Sequence, residues 1–290
     1  MAVVASFPGA RAARRSRAAF IPAYWHLLSL DAPTVAVLWA WSLARAAGVE
    51  ASPATLAVLG IGTWLIYIAD RLLDGRSPER RNELRERHFF HLRHTRTMLI
   101  AAGSACVPLL FLIAVMPAVA RRENAWIFAV VLAYSAAVHQ RFVRIRFPRE
   151  LAVGLVFACA CAVPGWSGSG GLRGQLVTLT VVFAALCFLN CTAIHAWEHP
   201  HDRRRWSRVS LMAVCIAVAA MTVIGTMRTL EGVRVAISIA ASALLLLALN
   251  RDHRRALKKH RDAMISPFTL RILADAALLT PTLLLWTWKL

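Results

Sequence analysis

The sequence contains few acidic residues and little charge of any kind. Only 15 of its 290 residues are aspartate or glutamate, against 34 lysines and arginines, and charged residues make up 17% of the chain. This is not the composition of an ordinary soluble domain, in which about a quarter of the residues are charged. The 58% share of hydrophobic residues and the mean hydropathy of +0.56 indicate instead that lipid surrounds much of the chain.

The cysteines lack both metal-site spacing and a position in an exterior loop where a disulfide would stabilise the fold. All of them fall inside apolar runs, so we interpret them as small core residues. They are Cys106, Cys159, Cys161, Cys187, Cys191 and Cys215.

Long apolar runs recur along the chain, each of about 20 residues and sufficient to cross ~30 Å of hydrocarbon. Most connections are short, which favours antiparallel neighbours in a bundle. The sequence therefore predicts an all-α, polytopic membrane helical bundle of about nine transmembrane helices, with residues 1–23 as a basic cytoplasmic tail and residues 24–290 as a single transmembrane domain. The predicted spans are 31–49, 53–73, 97–119, 125–140, 150–168, 174–196, 207–227, 232–250 and 267–288.

The N-terminal segment is rich in arginine and has no acid before Asp31. A secretory signal peptide is not expected, because the first long apolar run is a span rather than a short apolar segment with a cleavage site. An arginine-rich, acid-poor start is typical of an organellar transit peptide as well as of a basic tail, and we favour the tail.

The formal net charge of +19 would suggest nucleic acid as the partner of a soluble protein. Here the charge is sorted by loop: with the N-terminus inside, the tail and the ends of spans two, four, six and eight hold 26 of the 34 lysines and arginines. Cytoplasmic loops retain these residues. We therefore predict a multi-pass protein of the bacterial inner (cytoplasmic) membrane, with a cytoplasmic N-terminus and no nucleic-acid partner.

The first acidic pair lies at the end of span two. Asp70 and Asp74 are four residues apart, so on a helix both carboxylates lie on one face. Oxygen ligands at that spacing suit Mg²⁺, which binds one or two carboxylates together with substrate phosphates and water. The alternative is a solvated helix end whose acids pair with Arg71 and Arg76.

The second acidic pair lies at the end of span six. Asn190 precedes Glu198 by about two helical turns on the same face, and Asp202 follows four residues after Glu198. Pro200 interrupts a regular helix between the two acids. The alternative is a helix exit at which Glu198 pairs with neighbouring arginines.

Both pairs end even-numbered spans, so they lie at the same membrane face. Two carboxylate pairs facing one another beneath arginines would bind Mg²⁺ and a diphosphate, since arginine donates bidentate hydrogen bonds to phosphate oxygens. A third polar element follows span four, where Tyr134 and Ser135 precede His139 and Arg141.

These segments resemble the UbiA superfamily of intramembrane prenyltransferases. The resemblance is carried by Asp70 and Asp74, by the Tyr134–Ser135 segment, by Arg149 to Ala158 at the start of span five, and by the acidic end of span six. The sequence departs from the NDxxDxxxD motif of that family, because Ile66 and Tyr67 occupy its first two places.

The resemblance implies Mg²⁺-dependent transfer of an isoprenoid chain from a prenyl diphosphate to an aromatic or other lipophilic acceptor. It implies Asp70, Asp74, Glu198 and Asp202 as catalytic metal ligands. The substrate-binding residues that it implies are Asn190, Arg71, His139, Arg141, Tyr134 and Tyr67.

Two other functions compete with prenyl transfer. Histidines recur at His88, His91 and His94, and again at His195, His199 and His201. Clusters of this kind bind two irons in membrane hydroxylases and desaturases. For the first cluster we favour an amphipathic helix on the membrane surface. A non-catalytic membrane protein or transporter would more readily show broken helices or ionisable groups inside its spans. Asp275 is the one acid well inside a span, where pairing with a polar residue of another helix is the expected explanation.

Overall fold

The structure is a computed structural model and describes residues 17–76, 85–139, 149–198, 203–258 and 265–282. All regular secondary structure in these ranges is helical, which confirms the predicted all-α class. The helices are α1 (Arg17–Leu27), α2 (Asp31–Ala46), α3 (Pro53–Arg76), α4 (Glu86–Arg93), α5 (Thr95–Val115), α6 (Ala118–His139), α7 (Arg149–Trp166), α8 (Arg173–Glu198), α9 (Arg203–Thr222), α10 (Leu230–Lys258) and α11 (Pro267–Ala277).

Six of the described helices are long and apolar enough to cross a membrane, and a seventh span results if α1 and α2 count as one bent segment. The chain thus has the features of an integral multi-pass membrane protein. The predicted number of nine is not confirmed: α2, α6 and α11, which overlap the first, fourth and ninth predicted spans, are not among these six helices, and α2 and α11 have only 16 and 11 residues.

Each predicted span overlaps one helix, whereas α1 and α4 fall outside the predicted spans. Helix α1 begins at Arg17 and so includes the last residues of the segment 1–23, whose role as a cytoplasmic tail stays a prediction. The ninth span is also interrupted, because α11 ends at Ala277 and a turn follows before Pro281.

The buried centre of the bundle is formed by α2, α8 and α10. The indole of Trp39 in α2 is fully buried and stacks on Phe183 of α8, with ring centroids 4.2 Å apart. The Trp39 Nε1–H donates a 2.8 Å hydrogen bond to the carbonyl oxygen of Leu278. This one side chain therefore connects α2, α8 and the segment after α11.

The outer helix α5 shows the opposite pattern. Its most apolar segment has a mean hydropathy of 2.5, yet only 6% of that segment is buried. Val107, Leu110 and Phe111 are among its exposed apolar side chains. A surface of this kind faces lipid rather than water.

A buried amide joins α2, α8 and α10 at the end of the bundle opposite Asp70. The Gln175 Nε2 donates to the Ala46 carbonyl at 2.6 Å and to Thr229 Oγ1 at 2.7 Å, while its Oε1 accepts from the Arg228 N–H. At the same end, Gly48 adopts φ +72° directly after α2, the left-handed conformation in which glycine ends helices. The end of α2 and the beginnings of α8 and α10 therefore lie together, as antiparallel neighbours require.

Close packing of α7 on α8 depends on Gly154. A Cβ at this position would lie 2.8 Å from the backbone nitrogen of Phe188 and 3.2 Å from the carbonyl oxygen of Ala184. We expect Gly154→Ala to destabilise the folded protein by about 1–3 kcal/mol, because the helices must separate to accept the methyl group. Thermal unfolding in detergent measures the effect.

The matched control is Gly103→Ala in α5, where an added Cβ has nothing within 4 Å. This variant should unfold at the wild-type temperature or slightly above it, because alanine favours helix. Equal destabilisation by both substitutions would contradict the close approach of α7 and α8.

Candidate functional site

The acids at the end of α3 face arginines. Asp70 Oδ2 lies 2.8 Å from Arg71 Nη1, and Asp70 Oδ1 lies 3.7 Å from Arg149 Nη2 at the start of α7. Arg149 also interacts electrostatically with Asp74, which is buried. The predicted acidic pair therefore shares one guanidinium from a neighbouring helix.

Two aromatic residues predicted to bind substrate belong to the same site. The Arg71 guanidinium lies 5.5 Å from the centre of the Tyr67 ring, a cation–π contact, and Arg71 is only 7% exposed. Tyr134 of α6 interacts electrostatically with Arg149. Side chains from α3, α6 and α7 thus meet around the Asp70 carboxylate.

The acid at the end of α8 is also paired with arginines. Glu198 Oε1 accepts from both Nε and Nη2 of Arg271, the former at 2.7 Å, and its Oε2 accepts from Arg85 Nη2 at 2.9 Å. Arg271 also lies 3.4 Å from Glu86. These partners come from α11 and from the start of α4, both far away in the sequence.

Helix α4 connects the two acidic ends. His88 Nε2 lies 3.4 Å from Arg71 Nη1, and His88 Nδ1 accepts a 3.0 Å hydrogen bond from the Arg85 N–H. His88 also interacts electrostatically with Arg271. The ends of α3 and α8 therefore belong to one charged network, which consists of Asp70, Arg71, Asp74, Arg85, Glu86, His88, Arg149, Glu198 and Arg271.

The network does not bring the predicted metal ligands together at coordinating distance. Among the residues that the structure describes, Asp70, Asp74 and Glu198 do not form a group with metal-ligand spacing. Asp202 and Arg141 lie outside the described residues, and so does the side chain of His139, the last residue of α6. Magnesium binding stays a prediction.

Asn190 belongs to a different group of polar side chains, which the sequence did not predict. Its Nδ2 donates to Asp275 Oδ1 at 3.2 Å, and Asp275 Oδ2 lies 3.7 Å from His26 Nδ1. His26 Nδ1 also hydrogen-bonds Asp31 Oδ2 at 2.7 Å. The pairing expected for Asp275 is thus confirmed. The sequence places His26 and Asp31 five residues apart, but the turn between them, where Ser29 has φ 56°, is a feature of the structure that no sequence signal indicated.

No protein-family model, curated protein or solved structure matches this chain. Function is therefore argued from the two polar clusters and from the apolar helices that carry them.

The histidines of α4 are engaged by neighbouring backbone. His91 Nδ1 donates to the Arg87 carbonyl at 2.8 Å, and His94 Nδ1 donates to the Phe90 carbonyl at 2.9 Å. Neither residue, nor His88 or His195, joins a group of three potential metal ligands in the described part of the chain. His199 and His201 lie outside it. The described geometry thus favours a packed helix over a di-iron centre.

Burial of His88 among arginines makes stability depend on pH. Burial and the charges of Arg71 and Arg87 lower the pKa of His88 from its ordinary value of 6.5 to about 3. Between pH 6.5 and about 3, His88 is protonated in the unfolded chain but not in the folded protein. The free energy of unfolding therefore decreases as the pH falls from 6.5 towards 3. We expect the unfolding temperature to fall less steeply with decreasing pH in His88→Gln than in the wild type.

The matched control is His94→Gln at the exposed end of the same helix. It should keep the wild-type pH dependence, measured by thermal unfolding in detergent between about pH 7 and pH 4.5. Identical slopes for His88→Gln and the wild type would contradict a buried, neutral His88.

Proposed function

We propose that this chain is an intramembrane prenyltransferase of the UbiA type, which moves an isoprenoid chain from its diphosphate to an aromatic or other lipophilic acceptor. The observation that carries the proposal is the charged network at one end of an apolar bundle. Arginines and acids from α3, α4, α7, α8 and α11 meet there, next to helices whose outer surfaces are apolar.

The arginines of the network suit a diphosphate. Arg71, Arg85, Arg149 and Arg271 supply four guanidinium groups, each already held beside a carboxylate. Such pairing keeps the guanidiniums ordered, and their forked donors match phosphate oxygens. The four arginines already balance the four acids of the network, so an incoming diphosphate brings negative charge that a bound Mg²⁺ would offset.

Asp70 and Asp74 fit Mg²⁺ because they are hard oxygen donors one turn apart that share the neighbour Arg149. When bound, Mg²⁺ neutralises negative charge on the leaving diphosphate. Glu198 has another role here, since it holds Arg85 and Arg271 in position. Asp202 and Arg141 retain their proposed roles as ligand and phosphate contact.

In the transfer step, the bond between the allylic carbon and the diphosphate oxygen breaks, and the diphosphate leaves with the electron pair. The acceptor carbon or oxygen then bonds to the allylic carbon and loses a proton. The guanidiniums stabilise the charge that develops on the diphosphate, the term that is usually largest in such reactions. Tyr67 presents its ring beside Arg71 at the edge of this site.

Apolar helices provide a place for the isoprenoid chain. Helix α5 packs against α3, and α6 packs against α7, so lipid-facing helices flank the two helices that carry Asp70 and Arg149. An isoprenoid chain lying along them would stay in hydrocarbon while its diphosphate reaches the network.

The test is transfer from a labelled prenyl diphosphate by membranes that contain the protein, with and without Mg²⁺. We expect Asp70→Asn and Asp74→Asn to lose activity at least about 100-fold, as when a group that stabilises transition-state charge is removed. The control is Asp252→Asn. This acid lies outside the charged network, and both Asp252 and the Arg255 with which it pairs are exposed. Full activity of both α3 variants would disprove the assignment.

A transporter is the second candidate, and one observation favours it. Helices α1 and α2 meet at 91° in a bent or re-entrant segment, and the buried His26 and the partly buried Asp31 lie on either side of the bend. Broken helices with ionisable groups are typical of transport sites. Solute counterflow in proteoliposomes, without dependence on Mg²⁺, would favour this function over prenyl transfer.

A further inference from the structure

A compact group of potential metal ligands lies where α1, α2, α8 and α11 meet. Nδ1 of His26, one carboxylate oxygen of Asp31 and one of Asp275 all lie within 4.8 Å of one another. In the part of the chain that the structure describes, this is the only group of three or more histidine, cysteine, aspartate or glutamate ligands with that spacing. None of its members belongs to the charged network of Asp70 and Glu198.

Asn190 adds an amide to the same group. It is 7% exposed, its Nδ2 donates to Asp275, and its Oδ1 has no hydrogen-bond partner. A buried acceptor without a partner is costly. A half-turn of the Asn190 amide would bring this oxygen to the Asp275 side, where a cation between the two oxygens would make the contact favourable.

The two carboxylates of the group suit a cation. Asp31 and Asp275 place carboxylate oxygens beside His26 Nδ1 in a helical bundle. Arg87 adds a positive charge that interacts with His26 and Asp31, so an imidazolium together with Arg87 balances the two carboxylates. A metal ion bound to His26 Nδ1 would take the place of the imidazole proton in this balance.

We propose that His26, Asp31, Asp275 and Asn190 form a binding site for a divalent first-row transition metal ion. The ligands are His26 Nδ1, the Asp31 and Asp275 carboxylates and the Asn190 amide oxygen. One nitrogen with several oxygens suits Mn²⁺, Fe²⁺ or Zn²⁺, whereas Mg²⁺ prefers oxygen alone. The Asp275 side chain is 21% exposed, so an ion can reach the site from that side, whereas the His26 side chain is only 2% exposed.

Manganese is the probe that tests the site, because its bound and free forms differ in electron paramagnetic resonance. The full-length protein, purified in detergent without a histidine tag and stripped with chelator, is titrated with Mn²⁺ in the absence of any diphosphate. We expect about one tightly bound ion per chain, displaced by Zn²⁺ and not by equal Mg²⁺, with ¹⁴N coupling from one imidazole in the pulsed spectrum.

Variants assign the ion to these residues. His26→Gln should lose the ¹⁴N coupling, and Asp275→Asn should weaken Mn²⁺ binding at least about tenfold, as loss of a ligand or of its support does. Asp70→Asn, in the charged network, and the exposed Asp252→Asn should bind Mn²⁺ as the wild type does. Circular dichroism and size-exclusion elution verify that each variant is folded.

If the folded wild type binds no Mn²⁺ tightly, or if its pulsed spectrum shows no ¹⁴N coupling, the proposed site is wrong. This result needs no variant. Loss of binding in Asp70→Asn with retention in Asp275→Asn would place the ion in the charged network instead. Prenyl transfer can fail while this site binds metal, because the two clusters share no residue.

Discussion

Replacing Arg271 with glutamine should lower the free energy of unfolding by about 3–5 kcal/mol, as expected when one partner of a buried ion pair is removed. Arg271 is only 3% exposed and donates two hydrogen bonds to Glu198. Glutamine is too short to make both bonds, so Glu198 is left largely buried with Arg85 as its remaining arginine partner among the described residues. Thermal and denaturant unfolding in detergent measure the loss.

The control for Arg271→Gln is Arg255→Gln, which removes an exposed pair with Asp252 at 3.5 Å. Exposed pairs contribute about 0–1 kcal/mol, so this variant should unfold close to the wild type. The double variant Glu198→Gln/Arg271→Gln should be less destabilised than the sum of the single variants, because it removes the unpaired charge. Equal stability of Arg271→Gln and Arg255→Gln would show that the α8–α11 ion pair is not buried.

Local parts of this site could be predicted from sequence. Asp70 and Asp74 are four residues apart on one helix, so helical spacing predicted their shared face. The pairing of Asp70 with Arg71 was expected only as the alternative to a metal site. The start of α7 at Arg149 was also within a residue of its predicted position. Periodicity and apolar length determine features of this kind.

Long-range pairs could not be predicted in this way. Glu198 was predicted as a metal ligand, with pairing to nearby arginines as the alternative, yet the arginines that it bonds are Arg85 and Arg271, which are 113 and 73 residues away. No spacing rule relates such positions, because the packing of α4 and α11 against the bundle brings them together. The same holds for His26 and Asp275, which are joined only when α1 and α11 pack.

The two helices outside the predicted spans share a cause, although the sequence indicated an amphipathic helix around His88 and His91, where α4 lies. Helices α1 and α4 have 11 and 8 residues, far fewer than the 20 or so apolar residues that mark a span. Both also contain arginine or histidine, which the charge count assigned to a tail and a loop. Helix α4 packs against α3, and α1 packs against α11. Hydropathy does not predict such contacts.

Replacing Trp39 with alanine should lower the free energy of unfolding by about 3–5 kcal/mol, as much as replacing Arg271, because it leaves a large cavity between α2 and α8. Lipid is as apolar as the core, so the loss comes from packing contacts and from the unpaired Leu278 carbonyl rather than from hydration. Trp39→Phe separates the packing contribution from that of the hydrogen bond, because it keeps an aromatic ring against Phe183 and removes the hydrogen bond. We expect it to lower the free energy of unfolding by about 1–3 kcal/mol.

The control is Trp126→Ala in α6, whose indole is 72% exposed. This substitution opens no cavity, so the unfolding temperature should stay near that of the wild type, and only Trp39→Ala should lower it strongly. The decrease in unfolding temperature from the wild type to Trp39→Phe and then to Trp39→Ala measures how much Trp39 stabilises the packing of α2 in the centre of the bundle. This packing matters for both proposals, because α2 carries Asp31 at its first residue and packs on α3, which carries Asp70. Similar unfolding temperatures for Trp39→Ala and Trp126→Ala would mean that α2 is not the packed centre on which both polar clusters depend.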